Sequence, residues 1–434
     1  MPVPVRRAWG KVRRAPGGWR PRRVRGGTAI KTFLLFPYAN HLGGTQPLIA
    51  IGDALRAAGH RVVFAARGKC VSFVAEAGFE VEDVVELDPR HAVEHFNRSN
   101  LDYHTSASIA AFVAEETALI RRHRPTAVVD LHRPTLGLSA RLTRTPRAVL
   151  CNTVLTRYYT GERLLPESHP LGTLARPVPK RWLRPLSHWA EKQLFRAWAR
   201  PYNAFLRQAG EAPLDSLQDL FEGDATILMD ARELMPTGDL PPHVHAVGPL
   251  LREAAAPAPA LLAGVGPGQR TIFVYLGSYG EQFARVVGYL ARLLGDSDEY
   301  RVIAATGGLY GYSGPPLPSN VVVTDYVPAS AVLSRNCAAM ISHGGRGSIY
   351  SALGHGVPLV GLPNQGEQEW NLDAIERLGL GRKLSSRRCS FEAFAQALGG
   401  VLDDPAYRER AGRFGDMLRS YDGAGTAARI IAAL

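Results

Sequence analysis

Two hydrophobic periods alternate along the chain. Short apolar runs of strand length are followed by stretches whose apolar residues recur every three or four positions, which is typical of helices with one buried face. Thr32–Phe36 is the first apolar run and predicts a β-strand. After a predicted loop at residues 38–46, Pro47 suits the first turn of a helix that ends at Gly59. The same rhythm continues to residue 151 and predicts a parallel sheet covered on both faces.

A second series of alternating strands and helices runs from residue 271 to residue 378. Between the two series, residues 156–220 are rich in Pro, Trp, Arg and Tyr and predict helices that elaborate the first sheet. Two domains are also the default for 434 residues. The predicted fold class is α/β, with two doubly wound Rossmann-like domains facing each other across a cleft. The predicted parts are a basic, disordered tail at 1–27, an N-terminal acceptor domain at 28–246, a linker at 247–268, a C-terminal domain at 269–415 and a final helix at 416–434.

The net charge of +12 is concentrated at the N-terminus. Residues 1–27 hold nine basic residues and no acidic residue, so the remainder of the chain is close to neutral. Recognition of nucleic acid needs basic residues within the fold, and we therefore expect no nucleic-acid partner. The tail lacks the apolar region of a secretory signal, and no apolar run approaches the roughly 20 residues that span a bilayer.

The four cysteines are scattered, without Cys-x-x-Cys spacing. They predict neither a zinc site nor a disulfide framework, and we expect reduced thiols in a cytoplasmic protein. The sequence leaves the oligomeric state open, and a homodimer is compatible with it.

The densest cluster of candidate functional residues begins at His343, which follows an apolar strand. Gly344, Gly345 and Gly347 come next, and Ser348 then opens a helix. Glycines let the backbone approach a ligand closely, and the unpaired N–H groups at a helix N-terminus attract phosphate. The pattern predicts a phosphate-binding turn in which His343 and Ser348 add side-chain donors.

Further along, Gly-Val-Pro and the pair Glu367-Gln368 complete a longer motif. With the turn at His343, it resembles the donor-binding signature of the UDP-glucuronosyl/UDP-glucosyl transferase family, glycosyltransferase family 1, whose fold is called GT-B. The resemblance implies that Glu367 and Gln368 bond the hydroxyls of a sugar. It also implies that the N–H groups of Gly277 and Ser278 face the phosphates and that the segment around Val327 contacts the base through its backbone.

Three positions depart from the family pattern or leave it open. Relatives often carry a ribose-binding glutamate where this chain has Ser351, and Trp370 belongs either to the core or to the edge of the sugar pocket. Residues 296–298 read Asp-Ser-Asp, which is similar to a metal-binding motif, but they lie in a polar loop. We expect them on the surface and predict no bound metal and no cofactor beyond the nucleotide sugar.

The catalytic base is the least constrained part of the site. Relatives place a histidine three residues before the proline that opens the first helix, and that position is Gly44 here. His41 lies in the same loop and is the candidate base, since imidazole titrates near neutrality. Asp130, at the end of a later strand, is the candidate for orienting it. The alternatives are a base elsewhere, such as His132, and a purely structural Asp130.

The resemblance predicts an inverting, metal-independent transfer of a sugar from a UDP- or dTDP-sugar to a hydroxyl or amine of a small natural product. Bacterial antibiotic-tailoring enzymes are the nearest type. The alternatives of the same fold are a lipid or sterol glycosyltransferase and a nucleotide-sugar epimerase, and an alternative of another class is a non-catalytic partner protein. A membrane-associated enzyme would show a basic, aromatic patch, for which residues 180–200 are the place to look.

Overall fold

Two parallel β-sheets organise the part of the chain that the computed structural model describes. The described residues are 29–97, 101–131, 133–169, 172–175, 178–252, 260–266, 268–277 and 279–434. The basic tail predicted at 1–27, His132 and Ser278 lie outside them.

The first sheet has the strand order β3-β2-β1-β4-β5-β6-β7, with all neighbours parallel. Its strands are β1 (Thr32–Phe36), β2 (Arg61–Ala65), β3 (Glu80–Glu82), β4 (Ala127–Leu131), β5 (Arg147–Cys151), β6 (Ala225–Leu228) and β7 (Val244–Ala246). The helices along this half are α1 (Leu42–Ala57), α2 (Val71–Glu76), α3 (Pro89–Asn97), α4 (Ser106–His123), α5 (Pro134–Thr143), α6 (Gly172–Ala175), α7 (Lys180–Trp198) and α8 (Arg200–Ala209).

The second sheet has the order β10-β9-β8-β11-β12-β13 and is also parallel. Its strands are β8 (Arg270–Tyr275), β9 (Tyr300–Ala305), β10 (Val321–Thr324), β11 (Cys337–Ser342), β12 (Leu359–Gly361) and β13 (Gly381–Lys383). The remaining helices are α9 (Gly280–Leu294), α10 (Ala329–Leu333), α11 (Arg346–Gly354), α12 (Gly366–Arg377), α13 (Phe391–Asp403), α14 (Pro405–Leu418) and α15 (Gly423–Ala432). The prediction of two doubly wound parallel sheets is confirmed.

Strand β1 shows why both faces of each sheet are covered. Phe33 and Leu35 belong to one buried cluster, and Leu34 and Phe36 belong to a second cluster on the opposite face. Alternate side chains of a strand point to opposite faces, so a strand that is apolar at every position needs helices on both sides. The last helix, α15, supplies Ile431 to the cluster of Phe33, which fixes the end of the chain on the first sheet.

Helix α1 begins at Leu42, so the loop predicted at residues 38–46 is confirmed at 38–41 and wrong at 42–46. His41 is the N-cap, and its Nδ1 accepts a hydrogen bond of 2.9 Å from the backbone N–H of Gly44. This side-chain cap starts the helix before Pro47, which lies inside it. A Cβ atom at Gly44 would lie 2.5 Å from the carbonyl oxygen of Tyr38, so a histidine does not fit at the position where relatives carry the base.

The segment between β5 and β6 contains α6, α7 and α8 and contacts the second sheet. The Glu369 carboxylate accepts hydrogen bonds from the backbone N–H groups of Glu167 and Ser168, at 2.8 and 2.9 Å. The indole N–H of Trp370 donates to the carbonyl oxygen of Leu164 at 2.8 Å. These bonds hold the two parts of the chain together at one edge of the cleft. The described helices include none long and apolar enough to cross a bilayer.

Candidate active site

A cavity of about 1270 Å³ opens between the two sheets, where strands of both sheets reach their carboxyl ends. The cavity is lined by residues of the loop after β1, of α7 and of the turn before α11. Nine of the eleven predicted site residues lie on its wall: His41, Gly277, Val327, His343, Gly345, Gly347, Ser348, Glu367 and Gln368. Ser278 lies outside the described residues, and Asp130 is not part of the wall.

The turn between β11 and α11 brings glycine backbone to the cavity wall. Gly344 has a φ of 86°, and a Cβ there would lie 2.6 Å from Leu372. Gly345 is the N-cap of α11, and its missing side chain leaves room for the His343 ring, which a Cβ would meet at 2.5 Å. Only glycine fits at both positions. The free N–H groups of the first turn of α11 therefore lie at the cavity wall, which is a favourable place for an anion.

His343 lies beside this helix N-terminus with its ring against aromatic neighbours. Its Nδ1 is 3.5 Å from the carbonyl oxygen of Tyr275, and its ring centre is 6.4 Å from that of Tyr279. Burial is the main cause that lowers the pKa of His343 to about 4; the hydrogen bond to the Tyr275 backbone opposes this shift, and the nearby His41 adds to it. The imidazole is therefore neutral at pH 7 in the free protein, and an anion bound beside it would favour the protonated form.

Glu367 and Gln368 occupy the first turn of α12, on the same wall. Oε1 of Glu367 accepts from Asn152 at 3.1 Å and from Asn371 at 2.9 Å. Burial raises the pKa of Glu367, and the Asn371 hydrogen bond partly opposes that effect. Gln368 is buried, and its Oε1 accepts from the backbone N–H of Asn364 at 2.9 Å. Both side chains are held by defined partners, as a site for sugar hydroxyls requires.

Two further predicted donor residues flank this wall. Gly277 follows β8 with a φ of 64°, and the His343 ring lies 3.5 Å from where its Cβ would be. Val327 is buried and follows β10 in the cavity wall. Their roles toward phosphate and base stay predictions.

His41 faces the cavity from the opposite side. Although its ring contacts the cavity space, the surrounding walls desolvate it and lower its pKa to about 4. Because Nδ1 accepts the Gly44 N–H, the ring proton of the neutral form is on Nε2. His41 therefore accepts a proton only after this capping bond is released.

Asp130 and His41 are not brought together. Both carboxylate oxygens of Asp130 accept from the guanidinium of Arg147, at 2.7 and 3.1 Å, and both residues are buried. Arg147 also donates to the carbonyl oxygens of Leu220 and Glu222, which makes the pair a link between β4, β5 and the segment before β6. The geometry corresponds to the structural alternative for Asp130.

Three residues that sequence reasoning missed contribute to the wall. Asn152 holds Glu367, Tyr279 is hydrogen-bonded to Gln368, and Arg346 is buried at the first position of α11. Arg346 had a visible signal, since it stands between two glycines of the motif. Asn152 and Tyr279 had none, because each follows a strand that is distant in sequence from the residue it contacts.

The structure also locates the three positions that the sequence left open, Ser351, Trp370 and residues 296–298. Ser351 lies on the cavity wall, where its carbonyl oxygen accepts from His355. Trp370 is half-buried against the core and also lines the cavity. Asp296 and Asp298 are exposed in the turn after α9, as expected for a surface loop.

Several known proteins have sequences similar to this chain. Residues 300–427 match the model of the erythromycin biosynthesis protein CIII-like C-terminal domain. A PGL/p-HBAD biosynthesis glycosyltransferase of Mycobacterium tuberculosis is 28% identical over 319 residues, which cover 72% of this chain and 72% of that protein. Erythronolide mycarosyltransferase of Saccharopolyspora erythraea is 35% identical over 139 residues, 31% of each chain.

Solved structures show the same fold over nearly the whole chain. The glycosyltransferase of kitacinnamycin superposes with a TM-score of 0.67 and 20% identity, covering 93% of this chain and 98% of that one. The glycosyltransferase VinC in complex with dTDP gives a TM-score of 0.64 with 18% identity, covering 93% and 99%.

The two sheets, the cleft and these matches define the class of protein: the chain is a glycosyltransferase with the GT-B fold. It resembles the bacterial glycosyltransferases that tailor natural products, which is the type that the sequence predicted. The prediction of an enzyme is confirmed, and the similarity to glycosyltransferases over most of the chain favours it over a non-catalytic partner.

Proposed function

We propose that the protein transfers a sugar, with inversion and without a metal ion, from a UDP- or dTDP-sugar to a hydroxyl or amine of a small molecule. The observation that carries the proposal is that one cavity is lined by the α11 N-terminus, by Glu367 and Gln368, and by His41 from the other sheet. A diphosphate, a sugar and an acceptor each have a matching set of groups there. One of the solved structures with the same fold, the glycosyltransferase VinC, was determined in complex with dTDP.

The diphosphate of the donor would lie at the N-terminus of α11. Backbone N–H groups of Gly347 and Ser348 point out of the helix, and the guanidinium of Arg346 adds positive charge nearby. The same groups stabilise the negative charge that builds up as the bond between the anomeric carbon and the phosphate oxygen breaks. This is why we propose no requirement for a metal ion.

The acceptor would enter from the side of His41 and α7, where the lining is mainly apolar. Its hydroxyl oxygen attacks the anomeric carbon from the face opposite the diphosphate, which inverts that carbon. The hydroxyl proton passes to His41 once the capping bond to Gly44 is released, and the nucleoside diphosphate leaves. The negative donor raises the pKa of both cavity histidines, which brings His41 closer to the range suited to a base.

The relatives act in the biosynthesis of PGL/p-HBAD and of an erythronolide glycoside, so we propose a natural-product or glycolipid acceptor. Cytoplasmic location and oligomeric state stay predictions.

The test is turnover of a panel of UDP- and dTDP-sugars with the full chain, followed by mass spectrometry of added acceptors. Retained activity in EDTA and an inverted anomeric signal by NMR are the expected results. Glu367→Ala should abolish sugar discrimination, while Glu299→Gln, on the surface, is the matched control. Loss of all turnover in EDTA, or a product of retained configuration, would contradict the proposal.

A further inference from the structure

Helix α7 exposes an apolar stripe that nothing in the described structure covers. Trp182 is 63% exposed, Leu186 53% and Trp189 61%. The three positions are spaced by four and three residues, which places them on one side of the helix. Single exposed apolar side chains are common on protein surfaces, but a contiguous group of large ones marks an interaction site.

Basic residues flank this stripe. Arg181, Lys192 and Arg196 are exposed and lie along one side of the helix beside the stripe, because eleven and four residues are close to whole numbers of turns. Among the described residues none of the three has an ion-pair partner. We call Trp182, Leu186 and Trp189 with these three basic residues the α7 outer face.

The acidic residue of α7 is turned away from this face. Glu191 is partly buried and pairs with Arg163 at 2.9 Å, on the cavity side. The α7 outer face therefore combines aromatic and aliphatic side chains with uncompensated positive charge. Helices that lie in the headgroup region of a membrane carry this combination.

The opposite face of α7 lines the cavity through Ala190, Leu194 and Trp198. One helix thus separates the apolar end of the cavity from the exposed stripe. A partner bound to the α7 outer face would therefore lie next to the acceptor side of the cavity. The candidate donor-binding residues, which follow strands of the second sheet, would be unaffected.

We propose that the α7 outer face docks the enzyme on an anionic membrane surface. Trp182, Leu186 and Trp189 enter the headgroup region, and the basic residues contact anionic lipid headgroups. Charge complementarity supports this occupant over a second copy of the chain, because a two-fold contact through this face would set its unpaired cations against each other. The proposal goes beyond the sugar-transfer reaction and does not depend on it.

The test is co-sedimentation of the full chain with vesicles of phosphatidylcholine alone and of phosphatidylcholine mixed with phosphatidylglycerol. We expect binding to the mixed vesicles that weakens as salt is raised. Arg181→Gln/Lys192→Gln/Arg196→Gln should weaken binding by at least about tenfold, since each basic residue near an anionic surface contributes about a factor of five. Trp182→Ser/Leu186→Ser/Trp189→Ser should weaken it by a similar factor.

The basic N-terminal tail is the obvious competitor, and a matched variant separates the two. Arg13→Gln/Arg14→Gln/Arg20→Gln removes the same number of charges from the tail and should leave binding within about threefold of the unmodified chain. Unchanged urea-unfolding midpoints and nucleotide binding establish that the α7 variants are folded.

Three outcomes overturn the proposal. One is equal binding of the unmodified chain to neutral and anionic vesicles. Another is that the tail variant loses vesicle binding while the α7 variants keep it. The third is that the unmodified chain does not bind vesicles and the α7 variants differ from it in oligomeric state, measured by light scattering. That result would show that this face is a contact between protein molecules.

Discussion

Asn152 donates from Nδ2 to Oε1 of Glu367 at 3.1 Å, so the residue that follows β5 of the first sheet holds a side chain of helix α12. The other amide atom of Asn152, Oδ1, is buried and has no partner among the described residues. Because Asn152 also lines the cavity, this oxygen is placed to accept a hydrogen bond from a bound hydroxyl. The pair therefore joins the two halves of the chain at the cavity wall.

Asn152→Ala should raise the donor KM about tenfold and change kcat less. The Glu367 carboxylate keeps Asn371 but loses one charge-assisted hydrogen bond, and the bound sugar loses the Oδ1 acceptor. Asn152→Asp should raise the donor KM further, because it places a second carboxylate next to that of Glu367. Steady-state kinetics against a nucleotide sugar measure both. An unchanged KM in both variants would remove Asn152 from the donor site.

His41 has two roles that substitutions can separate. His41→Ala should lower kcat by about 10²- to 10⁴-fold through loss of the base and should also cost about 1 kcal/mol of stability through loss of the N-cap. His41→Asn restores a good N-cap but supplies no base. We expect it to regain the stability and not the activity, as measured by urea unfolding and single-turnover rates. Activity close to the unmodified level in His41→Asn would place the base elsewhere.

Donor binding should be coupled to protonation of His343. The pKa of His343 is about 4 in the free protein, and a diphosphate bound at α11 raises it. The complex therefore takes up protons wherever the pH lies between the free and the bound pKa. Affinity should rise as the pH falls through that range and level off below pH 4.

Calorimetry of nucleotide-sugar binding in buffers of different ionisation enthalpy measures this uptake directly. Each phosphate of a nucleotide sugar carries one ester and one anhydride bond and has no group that titrates near neutrality, so the uptake reports on the protein. His343→Gln should reduce the uptake to the share contributed by His41, while His355→Gln, at the far end of α11, is the control. Equal uptake in His343→Gln would exclude His343 as the phosphate contact.

The sequence predicts the fold class and the donor wall because both depend on local patterns. The apolar run of β1 and the glycines around His343 are each contained in a short stretch of sequence, and each pattern has one physical explanation. The start of α1 was missed because a histidine is an unusual N-cap and Pro47 gave a stronger local signal. Asn152 and Tyr279 reach the site only through strand order, which sequence spacing does not reveal.

Asp130 shows a second limit, because a buried carboxylate at a strand's carboxyl end has the same sequence signature whether it orients a base or holds an arginine. The two alternatives predict opposite results. With its carboxylate paired to Arg147, Asp130→Asn should lower the free energy of unfolding by about 3 to 5 kcal/mol, since a buried guanidinium loses its counter-charge.

If Asp130 instead oriented His41, the same substitution should lower kcat by at least about a hundredfold with little change in stability. Urea unfolding and kcat measured at low temperature, where Asp130→Asn is folded, distinguish the two. The matched control is Asp416→Asn, which breaks the exposed pair with Arg419 and should cost under about 1 kcal/mol. We expect the loss in Asp130→Asn to appear in stability and kcat to stay within about twofold, because both carboxylate oxygens of Asp130 are engaged by the guanidinium of Arg147.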